Sequence, residues 1–336
     1  MELVIGNVKV KAPLVALAPM AGTSTVTFRG ICHELGSSYA PTELVSARSI
    51  VYSGTEKSFR YMEIDPDHEG ITCIQLFGND PQDFETAIEA ICNDPRLSSV
   101  DIIDVNMGCP VSKVIKTGAG SALMKDPVLA GKIMETVRKS AEKYGKAATV
   151  KTRIGFNDQS RNGPEFAKVL AQSGAQAICI HGRTASQMYR GEADINAIAQ
   201  IREAVKGQDV VFIANGDIVD GPTAKRMLDV TKADGIMIGR AAMGDPWIFN
   251  RVRNYLNEDV TALSPTPKDK CDMLLRELVG TASHVGEVTA VKEMRSIMPH
   301  YIKGLPGSAV IKTRLCQANT IEQVRDILEE SLKSWM

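Results

Sequence analysis

The sequence carries almost no net charge. Its 39 Lys and Arg against 40 Asp and Glu leave −1 over 336 residues. That balance excludes a global attraction to nucleic acid or anionic lipid, so such a partner would need a local basic patch. No apolar run approaches the ~20 residues that cross a bilayer. The opening Met1-Glu2-Leu3-Val4-Ile5-Gly6 lacks a basic region followed by an apolar one, so no secretory leader is expected. The seven cysteines, at 32, 73, 92, 109, 179, 271 and 316, are odd in number and have no metal-type spacing. That argues against a disulfide framework or a metal site and for reduced thiols in a cytoplasmic protein. Repeats of solenoid length and low-complexity tracts are missing too. An open dinucleotide-binding sheet would want G-x-G-x-x-G after its first strand. Here that turn reads Ala18-Pro19-Met20-Ala21-Gly22-Thr23.

What is present is an alternation of strand and helix signals. Residues 3–10 alternate like a short hairpin with Gly6-Asn7 at its turn. Eight strand candidates follow, at 14–18, 38–42, 73–77, 102–105, 149–152, 177–180, 210–214 and 235–238. Several are apolar throughout, as expected where both faces of a parallel sheet are covered. Helix candidates lie between them at 81–93, 127–144, 164–173, 195–204 and 222–230, and four of these five begin at a proline. The pattern predicts an α/β fold, a (β/α)₈ TIM barrel with an N-terminal hairpin over residues 1–250. A closing helix end and a Pro-rich linker span 251–267. From 268 to 336 the strand signal disappears, which predicts a small all-helical domain.

In such a barrel the residues just after each strand meet on one rim. That rim carries Pro19-Met20-Ala21-Gly22, Glu43, Gln75, Asn106 with Cys109, Lys151 with Arg153, His181 with Arg183, Asn215-Gly216-Asp217 and Gly239-Arg240. The last two turns sit where barrels often hold phosphate through backbone N–H groups, and Arg240 can add a charged contact. The plain readings stand beside this one. A lone Cys109 can be a packed thiol, His181 a strand cap, Asp217 a turn former, and Arg153 and Arg183 ion-pair partners on the rim. For the other six cysteines packing is the better reading.

Six motifs appear in order: Ala18-Pro19-Met20-Ala21-Gly22, Asn106-Met107-Gly108-Cys109-Pro110, Val150-Lys151-Thr152-Arg153, His181-Gly182-Arg183-Thr184, Ala214-Asn215-Gly216-Asp217 and Ile238-Gly239-Arg240-Ala241. Together they resemble the tRNA-dihydrouridine synthase family, most of all its bacterial B-type branch. One departure is Ile195, where many relatives carry an aromatic. The resemblance implies an FMN enzyme that uses NADPH or NADH to reduce a D-loop uridine of tRNA. It implies flavin contacts from Pro19, Met20 and Ala21, ring contacts from Gln75 and Lys151, and a place near the flavin for His181. Asn215, Gly216, Asp217, Gly239 and Arg240 would surround the phosphate and ribityl chain, and Cys109 would be the general acid. The chemistry agrees. Hydride arriving at uracil C6 builds negative charge toward C5, and a thiol of pKa ~8.5 is protonated at neutral pH and can supply the proton. A lysine beside the reduced flavin stabilises its charge.

For the RNA, the basic candidates are Lys113 and Lys116 beyond the thiol, Arg153 and Arg183 on the rim, and Lys292, Arg295, Lys303, Lys312 and Arg314 in the tail. Between 292 and 314 the one acid is Glu293. Two other readings remain: an FMN barrel dehydrogenase acting on a free pyrimidine, of dihydroorotate or dihydropyrimidine type, and a non-catalytic RNA-binding barrel.

Overall fold

The computed structural model describes residues 2–258 and 264–335; residues 261–263 of the expected linker lie outside them. The hairpin is β1 (Glu2–Ile5) paired antiparallel with β2 (Val8–Lys11). Eight parallel strands follow: β3 (Leu14–Leu17), β4 (Ala40–Ser46), β5 (Thr72–Phe77), β6 (Ile102–Asn106), β7 (Ala147–Arg153), β8 (Ala177–His181), β9 (Val211–Asn215) and β10 (Gly235–Ile238). They hydrogen-bond in the order β3-β10-β9-β8-β7-β6-β5-β4. The ends of that series meet where Ser38 N–H donates to Val15 O at 2.7 Å and Leu17 N–H to Tyr39 O at 3.0 Å. The predicted TIM barrel is the fold found.

The strands are apolar because both faces are covered. β3 and β10 are buried at every position. β4 departs from its expected 38–42, starting at Ala40 and running on to Ser46, with a register shift between Pro41 and Leu44. Proline has no N–H to give to a ladder, and a bulge absorbs it. Helix starts follow from Asp-Pro and Asp-Gly-Pro sequences. Asp80, Asp126 and Asp220 each accept an N–H from the first turn, while the proline takes a position whose N–H would be idle. On the hairpin, Ile5, Val8 and Val10 pack with Leu14, Ala147, Ala177 and Val211 at the strand starts. That end of the barrel is plugged, so a ligand must enter from the C-terminal rim.

The closing helix runs Ile248–Leu256. The described residues of the tail form helices and no strand, from Pro267–Val285, capped by a reciprocal Thr266–Asp269 pair, to Ile321–Trp335. It has its own apolar core around Leu274, Leu278, Met298 and Leu315, into which Met243 and Trp247 of the barrel pack. Gly280 allows close approach to the barrel, since a Cβ there would sit 2.5 Å from Thr27. Ion pairs Arg276–Glu34 and Arg60–Glu293 rim this contact. No helix among the described residues is long and apolar enough to cross a membrane.

Inside the contact, Glu277 is 2% exposed and accepts the Tyr301 hydroxyl at 2.5 Å. Burial pushes its carboxyl up to about 7. The folded state therefore holds a proton that an unfolded carboxylate has lost above about pH 4.3, and stability falls as pH rises through that window. Urea unfolding is expected to show about 2–3 kcal/mol less stability at pH 8 than at pH 5 from this group. Glu277→Gln should remove that part of the slope and leave the smaller one from Asp104, whose carboxyl burial raises to about 6.

Candidate active site

A cavity of about 610 Å³ opens at the C-terminal rim, a size that suits a cofactor or small substrate. Cys109, Lys151, Arg153 and His181 line it together with Pro19, Met20, Ala21, Asn215, Gly216, Asp217, Gly239 and Arg240. Residues up to 221 positions apart in sequence thus share one chamber because each follows a strand of the same barrel.

The thiol stands on the loop after β6. Asn106, the last residue of that strand, accepts the backbone N–H groups of Cys109 at 2.8 Å and Gly108 at 3.2 Å through Oδ1. Arg153 donates to the Gly108 carbonyl at 2.7 Å and to those of Thr184 and Met188 at 3.0 Å, stapling the thiol loop to the loop after β8. Burial pushes the Cys109 thiol up, against smaller opposing effects of the Val111 N–H and the cations of Arg153 and Lys151. It stays protonated at neutral pH.

Lys151 Nζ donates to Asn215 Oδ1 at 3.1 Å, and the Asn215 amide donates in turn to Met237 O at 2.7 Å. Burial, with Arg153 nearby, lowers the lysine's affinity for its proton. A partly buried cation facing a cavity calls for an anionic partner. His181 is held far below its ordinary pKa, first by burial and then by Lys151, Arg153, Arg183 and Arg240. It is a neutral imidazole, with Nε2 3.4 Å from Arg183 Nη1. Asp217 organises the β9 turn. It accepts from Arg183 at 2.7 Å, the Ala193 N–H at 2.8 Å and Arg240 at 3.1 Å. Burial would raise its carboxyl, but these donors hold it below its ordinary value.

Gly216 has φ +133°, and a Cβ there would lie 2.6 Å from Ala193. At Gly239 a Cβ would meet nothing nearer than Ala18 at 3.6 Å and Met20 at 3.9 Å, both of them cavity residues. Two glycine turns, a half-exposed Arg240 and a partly buried lysine suit an anionic ring system bearing a phosphate.

Five expected contacts have partners within the protein itself. Gln75 has no exposed surface and does not line the cavity; its amide lies below, bonded to Asp104 and Asn106. Arg153 and Arg183 are 4% and 2% exposed, with guanidinium groups occupied by carbonyls and by Asp217, so they organise the rim. Arg295 donates to Ala318 O and Asn319 Oδ1 within the tail. Arg314 pairs with Glu330 at the surface. Lys113, Lys116, Lys292, Lys303 and Lys312 are exposed. Lys303 and Lys312 bear on His300, lowering its pKa together with burial, and the backbone at His300–Tyr301 packs on Gly244. That cluster therefore adjoins the rim segment carrying Met243, which lines the cavity.

Sequence reasoning missed Tyr189, which lines the cavity with the guanidinium carbons of Arg240 and Arg153 5.2 and 6.0 Å from its ring centre. Nothing in its local pattern marked it. It also missed Asp104, although a carboxylate inside an apolar strand was a legible signal.

Over residues 16–335 the chain matches the family described as Dihydrouridine synthase (Dus). The "Probable tRNA-dihydrouridine synthase" of Rickettsia bellii (strain RML369-C) is 34% identical over 326 residues, covering 97% of this chain and 96% of that protein. The "tRNA-dihydrouridine synthase B" of Proteus vulgaris is 38% identical over 275 residues, covering 82% and 81%. Among solved structures, a 2-naphthoyl-CoA reductase complex superposes with a TM-score of 0.57 at 10% identity, over 75% of this chain and 51% of that one. Histamine dehydrogenase from Rhizobium sp. 4-9 gives 0.54 at 14% identity, over 83% and 50%. At such identities the structural likeness is one of fold.

Proposed function

The chain belongs to the dihydrouridine synthase family, and from that premise we infer that it reduces the C5=C6 bond of a D-loop uridine in tRNA. FMN would be its flavin and NADPH or NADH its reductant. The observation that carries this reading is one cavity shared by a protonated thiol, a partly buried lysine and two glycine turns. Gly216, Asp217, Gly239 and Arg240 would cradle the phosphate, with Asn215, Pro19, Met20 and Ala21 against the rest of the cofactor. Lys151 would face the ring, and His181, being neutral, would offer it a hydrogen bond without a second charge. A flavin held there supplies the hydride that goes to C6 of the pyrimidine.

The protein's own part is acid catalysis and placement. Cys109 holds a proton on Sγ and delivers it to C5 as charge builds there. Lys151 keeps a cation where negative charge gathers, in a site shielded from water. The uridine must leave its stack, at a cost on the order of 2–4 kcal/mol that contacts to the RNA offset. Lys303 and Lys312 on the tail, with Lys113 and Lys116 beyond the thiol, are exposed cations that would meet the RNA backbone.

Purified protein with FMN and NADPH should convert unmodified tRNA transcript, read as dihydrouridine by mass spectrometry after digestion, and leave free uracil and orotate unchanged. Turnover of the free bases instead would make it a pyrimidine dehydrogenase. A protein that cannot be loaded with FMN would be a non-catalytic barrel. Charge reversal of Lys303 and Lys312 together should weaken tRNA binding about tenfold at physiological salt and flatten its salt dependence. Unchanged affinity would remove the tail from the RNA interface.

A further inference from the structure

The floor of the cavity holds a run of buried hydrogen bonds that the reaction, as described, does not use. Thr149 Oγ1 donates to Asp104 Oδ1 at 2.6 Å, and Gln75 Nε2 donates to Asp104 Oδ2 at 2.7 Å. Gln75 Oε1 accepts from Asn106 Nδ2 at 2.8 Å, and Asn106 Oδ1 accepts the Cys109 N–H, also at 2.8 Å. The run crosses three strands, from β7 through β6 to β5 and back to the thiol loop. Thr42 of β4 fixes its bend by accepting the Gln75 N–H at 3.0 Å.

Direction is what makes it more than packing. An amide can be turned over with little change of shape, and turning it exchanges a donor for an acceptor. An ionised carboxylate accepts only, and the backbone N–H groups of Gly108 and Cys109 donate only. Between those fixed ends the two amides have one orientation that satisfies every bond. Tyr39, Cys73 and Cys179 around Asp104 are buried and neutral, each with its pKa raised by burial. Lys151 is the cation that bears on it.

We propose that Gln75, anchored by Asp104, is a positioning residue for the general acid, holding Asn106 so that its side-chain oxygen clamps the loop carrying Cys109. This rests on the assignment of Cys109 as the acid, and its test is chosen to separate the two.

Gln75→Glu sets a carboxylate against Asp104 where an N–H stood, so the run survives only while the pair shares a proton. Asp104→Asn in the same protein supplies the missing donor and restores every bond, that between positions 75 and 104 with its direction reversed and the others in their original sense. Asp104→Asn alone is mild, since Thr149 can turn from donor to acceptor.

In flavin-loaded protein, Q75E should reduce tRNA about 10²-fold more slowly at pH 8, the scale of a displaced catalytic group, and recover partly at pH 6. Alkylation of Cys109 by iodoacetamide, measured against partly exposed Cys316 as an internal standard, should quicken several-fold at pH 8. D104N/Q75E should return both readouts to within about threefold of the parent. The alkylation readout holds whether or not tRNA is the substrate. Rates and alkylation in Q75E equal to the parent's from pH 6 to 8 would overturn the proposal. So would a double variant no better than Q75E, or a pair of variants that both fail to fold.

Discussion

Cys109→Ala is expected to slow dihydrouridine formation about 10³-fold while flavin content and tRNA affinity stay close to the parent's. The magnitude is that of removing a positioned acid, about 4 kcal/mol of barrel-held transition-state stabilisation. Alanine fits the space and leaves the clamp intact, because Asn106 bonds the backbone of the loop and not the sulfur. Hydride arriving at C6 would then leave charge at C5 with no proton source but water. Cys109→Ser should do little better, since an alcohol is a far weaker acid than a thiol. The pH profile gives the sign. The thiol must be protonated to act, and burial raises its pKa, so the parent rate should hold through neutral pH and fall only above the ordinary thiol range. Single-turnover rates with pre-reduced enzyme test this directly. A loss below tenfold would mean that another group delivers the proton.

Lys151→Met is expected to cost about 10²–10³-fold in kcat, the scale of removing one preorganised charge from a shielded site. Methionine keeps much of the stem's volume, so the loss reports on charge. Asn215 would lose the donor to its Oδ1 but keep its bond to Met237 O, which preserves the turn that precedes Gly216. The expected signature is a more negative flavin potential and slower reduction by NADPH, with tRNA affinity unchanged. His181 cannot substitute, because the arginines around it and its burial keep it neutral. Equal potentials in parent and variant would separate Lys151 from the ring.

Much of the fold was legible because a parallel barrel repeats one pattern. Apolar strands such as 102–105 and 177–180 and the Asp-Pro helix starts are local signals. The barrel then converts order along the chain into position around a rim. β4 was legible only in part, because the bulge at Pro41 is a response to neighbouring strands. The cysteine reading held for five of the six thiols assigned to packing, which are buried; Cys316 is partly exposed.

Residue type and order alone determined the barrel and the set of residues that follow its strands, because a parallel barrel turns each strand end into a rim position; for Cys109 they left a packed thiol as open as an acid, and the acid reading came from the resemblance. Which polar residues face the cavity was decided by tertiary structure. Gln75 and Arg183 both follow the same strand-end rule as Lys151. Yet each finds carbonyl, amide or carboxylate partners on strands and loops distant in sequence, and a buried polar group goes where its hydrogen bonds are satisfied.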